Sequence, residues 1–175
     1  IRRMLSEKLF EEALSLSIKA AGAAARVLLL ALASSDEELH IKSKEDGSLV
    51  SDADYASENI INKILSPVGI PILSEESIIP DFKERKDWPY YFLIDPLDGT
   101  ESFIKNKSGF SVNIALCDGS GPIIGAVADP LSKNIYVGSM RRGFSIYQLD
   151  GTYIKTIHST PIQKPHRLVT SWTEK

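Results

Sequence analysis

Apolar residues recur at helical spacing near the start of the chain and in short runs later. In residues 6–33 an apolar side chain returns every three or four positions, which predicts one long helix. A second periodic segment begins at Ser51 or Asp52, both good helix caps, and ends at Ser66-Pro67. The core-facing positions predicted for the first helix are Leu9, Ala13, Leu16, Ala20, Ala23 and Val27.

Short apolar segments between turn residues predict strands elsewhere. Residues 41–50 have the pattern of a small hairpin that reverses at residues 45–48. Four later segments are flanked by Gly, Pro or Asp, and the turns between them favour antiparallel pairing. These segments are residues 110–116, 123–128, 134–139 and 144–149. We therefore predict an α+β fold, with two N-terminal helices packed on one face of a largely antiparallel sheet.

Length, charge and cysteine content limit the class of protein. The 175 residues suffice for one domain, predicted at residues 1–165, and residues 166–175 resemble the opening strand of a second domain. A net charge of −3, with acids and bases intermixed, gives no electrostatic case for binding a nucleic acid polymer or a membrane. The single cysteine, Cys117, lies in an apolar run, which predicts a buried thiol and fits a reducing cytoplasm.

One segment has some features of a secretion signal. Ala31-Leu32-Ala33 superficially resembles a signal-peptidase site, but Arg26 interrupts the apolar run that precedes it. The run is also shorter than the roughly 20 apolar residues that span a bilayer. We therefore predict a packed helix and a cytoplasmic protein.

Two acidic segments follow two apolar runs and predict a metal site. The hexamer Asp95-Pro96-Leu97-Asp98-Gly99-Thr100 follows the apolar residues 90–94 and has the composition of a tight turn. Glu75 lies in a second acidic turn, after residues 70–73. Oxygen ligands without His or Cys favour Mg²⁺ over zinc, and an EF-hand is excluded because the glycine falls one position early. The candidate ligands are Glu75, Asp95, Asp98 and, as an accessory, the Leu97 carbonyl.

The residues after these acids point to phosphate chemistry. A short helix predicted at residues 101–105 would present free backbone N–H groups to a phosphate, and the Thr100 hydroxyl could orient a water molecule. Two cations side by side can stabilise both oxygens of an in-line displacement. The pattern thus indicates metal-assisted hydrolysis of a phosphate ester. The alternative is a pair of solvated turns, because Asp, Pro and Gly are common turn residues and Glu is usually exposed.

Three motifs, in this order, resemble those of the lithium-sensitive, Mg²⁺-dependent phosphatase superfamily that includes inositol monophosphatases and 3′(2′),5′-bisphosphate nucleotidases. Residues 44–54 are similar to an early segment that ends in a catalytic aspartate, and residues 72–76 to an acidic motif. The hexamer at residues 95–100 is similar to the central metal-binding motif. Residues 103–105 and 110–116 look most like the nucleotidase branch.

The resemblance implies a role for each candidate ligand. Glu75, Asp95 and the Leu97 carbonyl would hold one Mg²⁺, and Asp95 and Asp98 would share a second. Glu75 would also face a third, more weakly held ion through water. The enzyme would therefore use two or three Mg²⁺ ions and be inhibited by lithium.

The same resemblance implies a catalytic pair and a substrate. Asp54 and Thr100 would activate the nucleophilic water, and Gly99 and Thr100 would contact the phosphate. The implied substrate is a small phosphorylated metabolite of sulfur metabolism, adenosine 3′,5′-bisphosphate. Glu101-Ser102 replaces the Lys-Glu usual in that branch, so inositol monophosphate and a sugar bisphosphate stay open as alternatives.

The family also has a second α/β domain, which supplies a further metal-binding aspartate and most of the pocket for the rest of the substrate. Only its opening strand has a counterpart here, in residues 166–175. An inactive metal- or phosphate-binding fragment is therefore the competing hypothesis. Family members often form homodimers, and the resemblance extends that expectation to this chain.

Overall fold

A computed structural model describes residues 5–35, 39–43 and 49–158. The turn predicted at residues 45–48 and the strand predicted at residues 166–175 lie outside the described residues. The helices are α1 (Glu7–Ala31), α2 (Asp52–Leu65), α3 (Phe82–Arg85) and α4 (Thr100–Asn106), with a 3₁₀ turn at Ser66–Val68. The strands are β1 (Lys42–Ser43), β2 (Leu49–Val50), β3 (Ile72–Ser74), β4 (Tyr90–Asp98), β5 (Ser111–Asp118), β6 (Gly121–Asp129), β7 (Asn134–Ser139), β8 (Gly143–Gln148) and β9 (Tyr153–Ile157).

The main sheet has seven strands in the order of the chain, from β3 to β9. Every neighbouring pair is antiparallel except β3 and β4, which run parallel. The parallel pair requires a crossover, which residues 75–89 and α3 provide. Strands β1 and β2 form a separate antiparallel pair. The predicted α+β fold with a largely antiparallel sheet is confirmed.

The helices cover one face of this sheet. Helix α1 contacts β5, β6 and β7, and α2 contacts β4 and α1. Gly22 permits the close approach of α1, because a Cβ there would collide with the Leu149 carbonyl. The opposite face is open, since Leu93 is 49% exposed and Val127 is 41% exposed. The strand residues buried beneath the helices include Phe92, Ile94, Val112, Ile114, Leu116, Ile124, Ala126 and Ala128.

The predicted core stripe of α1 is correct at two of its six positions. Ala13 and Ala20 are fully buried, whereas Leu9, Leu16, Ala23 and Val27 are only partly buried. Because α1 packs against both α2 and the sheet, its buried face is wider than a single stripe and is rotated from the predicted one. The buried residues are Phe10, Ala13, Leu14, Ser17, Ile18, Ala20, Ala21, Gly22, Ala24, Ala25 and Leu28.

By length and apolar composition alone, α1 could cross a membrane. More than half of its apolar window is buried within the fold, and core helices of globular proteins pass the same test. Its contacts with α2 and the sheet agree with the predicted packed helix. Cys117 is buried, as its apolar surroundings predicted.

Candidate active site

The acidic hexamer was predicted as a tight turn, and the structure corrects this. Strand β4 continues through Asp98, and its pairing with β5 shifts from Asp95–Asn113 to Asp98–Ser111. Two residues of β4 thus oppose one of β5, as in a β-bulge. In a regular strand, residues three positions apart point to opposite faces. The extra residue lets Asp95 and Asp98 line the same cavity.

The change of chain direction occurs at Gly99. This residue has φ +87, and a Cβ there would lie 2.7 Å from the Gly109 carbonyl oxygen. Both the left-handed conformation and the close approach favour glycine. Helix α4 then begins at Thr100, where a short helix was predicted.

Asp54 and Thr100 meet although they are far apart in sequence. The Thr100 hydroxyl lies 3.0 Å from Asp54 Oδ1 and 3.1 Å from the Leu97 carbonyl oxygen, so its single proton can be donated fully to only one of them. The other oxygen of Asp54 accepts hydrogen bonds from the Ser51 backbone N–H at 2.8 Å and the Ser51 hydroxyl at 2.7 Å. Burial raises the pKa of Asp54, although these hydrogen bonds lower it.

Glu75 reaches the same region because β3 runs beside β4. Its backbone N–H donates to the Ile94 carbonyl oxygen at 3.3 Å, which places it next to Asp95. Asp98 is held from the other side, where its Oδ2 accepts a hydrogen bond from Asn113 Nδ2 at 3.0 Å. The two predicted acidic segments therefore meet at one end of the sheet.

Asp95 is the most perturbed of these carboxylates. Burial, followed by the charges of Glu75 and Asp98, raises the pKa of Asp95 to about 7. Its Oδ1 is buried and has no hydrogen-bond partner among the described residues. A buried carboxylate oxygen without a donor is costly unless a cation or a proton satisfies it.

A cavity of about 450 Å³ joins these groups. Asp54 does not line it and lies behind Thr100. Three other lining residues were not among the predicted site residues, namely Leu49, Glu101 and Lys105. Lys105 Nζ lies 2.5 Å from Glu101 Oε1. This contact could have been predicted from the sequence, because residues four positions apart in a helix are neighbours on its surface. The predicted residues that line the cavity are Glu75, Asp95, Leu97, Asp98, Gly99 and Thr100.

The donor set fits a hard divalent cation. All the candidate groups are oxygens, and Asp95 Oδ1 is an acceptor that a cation would satisfy. Within the described residues, no three His, Cys, Asp or Glu side chains converge closely enough to form a complete metal site.

The model of the inositol monophosphatase family matches residues 10–174, which is nearly the whole chain. The chain belongs to the inositol monophosphatase family. Its order of elements and its three motifs agree with that assignment. The predicted resemblance is thus confirmed at the level of the family.

Among similar proteins are two called 3′(2′),5′-bisphosphate nucleotidase CysQ. That of Haemophilus influenzae is 33% identical over 139 residues, covering 78% of this chain and 52% of the relative. That of Shigella flexneri is 44% identical over 101 residues, covering 56% of this chain and 40% of the relative. The chain therefore spans about half the length of these relatives.

Solved structures show the same fold. CysQ from Bacteroides thetaiotaomicron superimposes with a TM-score of 0.67 at 29% identity, covering 81% of this chain and 51% of that structure. The extragenic suppressor protein SuhB from Bartonella henselae gives a TM-score of 0.64 at 29% identity, covering 78% of this chain and 52% of that structure. The likeness extends beyond local motifs, because it includes both the helices and the sheet.

Proposed function

We propose that this chain forms the metal-binding half of a Mg²⁺-dependent phosphomonoester hydrolase, with adenosine 3′,5′-bisphosphate as its substrate. The observation that carries the proposal is Asp95. Its buried Oδ1, which has no hydrogen-bond partner in the part of the chain that the structure describes, and its raised pKa fit a cation beside the Asp54–Thr100 pair. The relatives named bisphosphate nucleotidases support the choice of substrate.

The cavity residues divide into ligands and a proton-handling pair. Glu75, Asp95 and the Leu97 carbonyl would hold one Mg²⁺, and Asp95 and Asp98 a second, with a third facing Glu75 through water. When bound, Mg²⁺ supplies positive charge that offsets the charge of the phosphate ester and favours ionisation of water.

Asp54 and Thr100 would accept the proton of the attacking water, with Asp54 as the general base and Thr100 between it and the water. The two bonds from Ser51 occupy Asp54 Oδ2, which leaves Oδ1 directed at the Thr100 hydroxyl. When Thr100 donates its proton to Asp54, its lone pairs are available to accept a hydrogen bond from water. The raised pKa of Asp54 favours uptake of a proton, as a general base requires.

Gly99 and Thr100 would contact the phosphate, and Lys105 is a nearby cation on the cavity wall. Lys105 lowers the pKa of Glu101, with which it forms an exposed ion pair. Glu101 lines the cavity, and because Glu101-Ser102 departs from the Lys-Glu usual in the nucleotidase branch, inositol monophosphate or a sugar bisphosphate remains the alternative substrate. The family description favours inositol monophosphate among these.

The decisive experiment measures inorganic phosphate released from adenosine 3′,5′-bisphosphate, with Mg²⁺ and with a chelator. Inositol monophosphate and a sugar bisphosphate are tested in parallel. Release that requires Mg²⁺ and is fastest with the bisphosphate nucleotide would support the proposal. Faster release from another ester would replace the substrate. Tight Mg²⁺ binding without any release would favour a non-catalytic metal- or phosphate-binding fragment.

We further propose a cytoplasmic location, in keeping with the single buried thiol of Cys117. Inhibition by lithium and assembly into a homodimer stay predictions. Phosphate release across a lithium titration and sedimentation of the purified protein would test them.

A further inference from the structure

Helix α2 contacts the candidate site through two further residues besides Asp54, the proposed catalytic aspartate. Asp54, Ser57 and Glu58 lie three and four residues apart, so they share one face of the helix. All three polar side chains are buried, Asp54 and Ser57 with 0% exposure and Glu58 with 7%. Buried polar groups of this kind are normally retained through specific hydrogen bonds.

Each of these side chains bonds to a different segment of the site. Asp54 bonds to Thr100 at the start of α4. The Ser57 hydroxyl donates to the Pro96 carbonyl oxygen at 2.6 Å, across 39 residues of sequence. Glu58 Oε1 accepts a hydrogen bond from the Ser77 hydroxyl at 2.6 Å, two residues after Glu75. One helix face thus contacts every segment that carries a candidate ligand.

The Ser57 bond acts on the peptide unit between Pro96 and Leu97, directly after Asp95. Pro96 C=O and Leu97 N–H belong to the same planar peptide, and the Leu97 N–H lowers the pKa of Asp95. A bond that fixes the Pro96 carbonyl therefore also fixes the direction of the Leu97 N–H. The bond also lies in the β-bulge, where regular pairing with β5 is interrupted. Ser57 therefore fixes the peptide where the sheet does not.

We propose that Ser57 and Glu58 are positioning residues, which hold the Pro96–Leu97 peptide and the loop after Glu75 in the geometry that the cation needs. The inference rests on the proposed function, since it deepens the account of the same site. Neither residue is placed in contact with metal or substrate. Both act through the ligands, as outer-shell partners of a metal site do.

Ser57→Ala is the principal test, and Ser17→Ala is its matched control. Ser17 is also fully buried in a helix, and its hydroxyl donates to the Ala13 carbonyl at 2.8 Å, away from the site. We expect Ser57→Ala to weaken Mg²⁺ binding by about tenfold, as loss of an outer-shell partner typically does, and Ser17→Ala to leave it unchanged. Calorimetric titration of the purified protein with Mg²⁺ provides the affinity.

A second readout needs no metal. In Ser57→Ala, hydrogen exchange at the Leu97 amide, followed by NMR in the presence of a chelator, should accelerate more than exchange at core amides. A general loss of stability would accelerate globally exchanging amides together. Equal acceleration throughout, unchanged Leu97 exchange, or an equal effect of Ser17→Ala would overturn the role of Ser57.

Ser77→Ala tests the Glu58 contact from its exposed side, where no cavity is created. Its control is Ser120→Ala, which removes another exposed hydroxyl that donates to a carboxylate, that of Asp118. We expect weaker Mg²⁺ binding in Ser77→Ala and unchanged binding in Ser120→Ala, and equal affinities in the two variants would overturn the role of Glu58. If the wild-type protein binds Mg²⁺ but releases no phosphate, the proposed function fails. The Mg²⁺ affinities of the variants and their controls would still show whether Ser57 and Glu58 position the ligands.

Discussion

Two charged clusters lie at different places in this molecule, and they are built in opposite ways. The first joins the start of α1 to the β7–β8 turn. In it, Arg141 lies 2.7 Å from Glu7, and Arg142 contacts Glu7 at 2.9 Å and Glu11 at 2.6 Å. The second is the candidate site, where the charges that act on Asp95 are those of other carboxylates.

Both clusters raise a pKa, but they have opposite effects on the charged form of the group concerned. Glu11 stabilises the charged form of Arg142 and raises its pKa. Burial and the neighbouring acids destabilise the charged form of Asp95 and raise its pKa to about 7. The first cluster therefore stabilises the charges that it contains. In the second, ionisation of Asp95 is unfavourable, which suits this cluster to a ligand that brings positive charge.

The largest expected effect comes from Asp95→Asn, which removes a charge from the second cluster. Losing several kcal/mol of transition-state charge stabilisation corresponds to a decrease in phosphate release of about a thousandfold. The measurement is Mg²⁺-dependent release of phosphate, accompanied by Mg²⁺ titration. Asp129→Asn is the control, because the Asp129 carboxylate accepts hydrogen bonds from the Leu131 and Ser132 backbone N–H groups in the turn before β7 and does not line the cavity. Full turnover in Asp95→Asn would refute the metal site.

Thr100→Val should have the next largest effect, and it separates proton handling from metal binding. We expect about a hundredfold loss of turnover, typical for removal of acid–base assistance, with Mg²⁺ affinity nearly unchanged. Steady-state kinetics and calorimetry on the same preparation would check both. An equal loss of Mg²⁺ affinity would instead show that the Thr100 hydroxyl serves mainly to arrange the ligands.

The third prediction concerns the pH dependence of stability without metal. The pKa of Asp95 is about 7 in the folded protein and 3.8 ordinarily, so the folded state binds the proton more tightly. This contribution to stability is complete below the ordinary pKa and is lost as the pH rises through about 7. We expect the free energy of unfolding, measured with denaturant and a chelator, to fall between about pH 4 and about pH 7 and to level off above that.

Asp95→Asn and Mg²⁺ provide the checks on this prediction. The variant should show a shallower pH dependence of the free energy of unfolding, although the raised pKa of Asp54 leaves a contribution of the same sign. Saturating Mg²⁺ should offset the loss at high pH, because it binds the ionised ligands. Identical pH profiles for wild type and variant would contradict the assignment.

The smallest expected effect belongs to the first cluster. Arg141→Ala removes the ion pair with Glu7, a bond to the Leu5 carbonyl at 2.6 Å and a cation–π contact with Phe10 at 4.4 Å. We expect a loss of about 1–2 kcal/mol in the free energy of unfolding. The more exposed Arg142 should matter less, since surface ion pairs contribute little. Mg²⁺ affinity should be unaffected in both variants, and a change would show that the clusters are coupled.

Prediction from the sequence succeeded where the signal was local. The bounds of β7 followed directly from the order of residues, and the hexamer at residues 95–100 was among the motifs that indicated the family. Strand β9 was missed because all its residues are exposed and no alternation of apolar and polar side chains marks it. The β-bulge was missed because Asp, Pro and Gly are also the usual residues of turns.

The sequence by itself determined the two long helices, the antiparallel strands, the acidic segments and the family, because these depend on periodicity and on motifs of a few residues. Tertiary structure alone decided that Asp95 Oδ1 lacks a donor among the described residues, that Thr100 faces Asp54, and that Ser57 donates to the Pro96 carbonyl. The physical reason is distance along the chain. These contacts join residues 39 and 46 positions apart, and only packing of α2 against β4 brings them together.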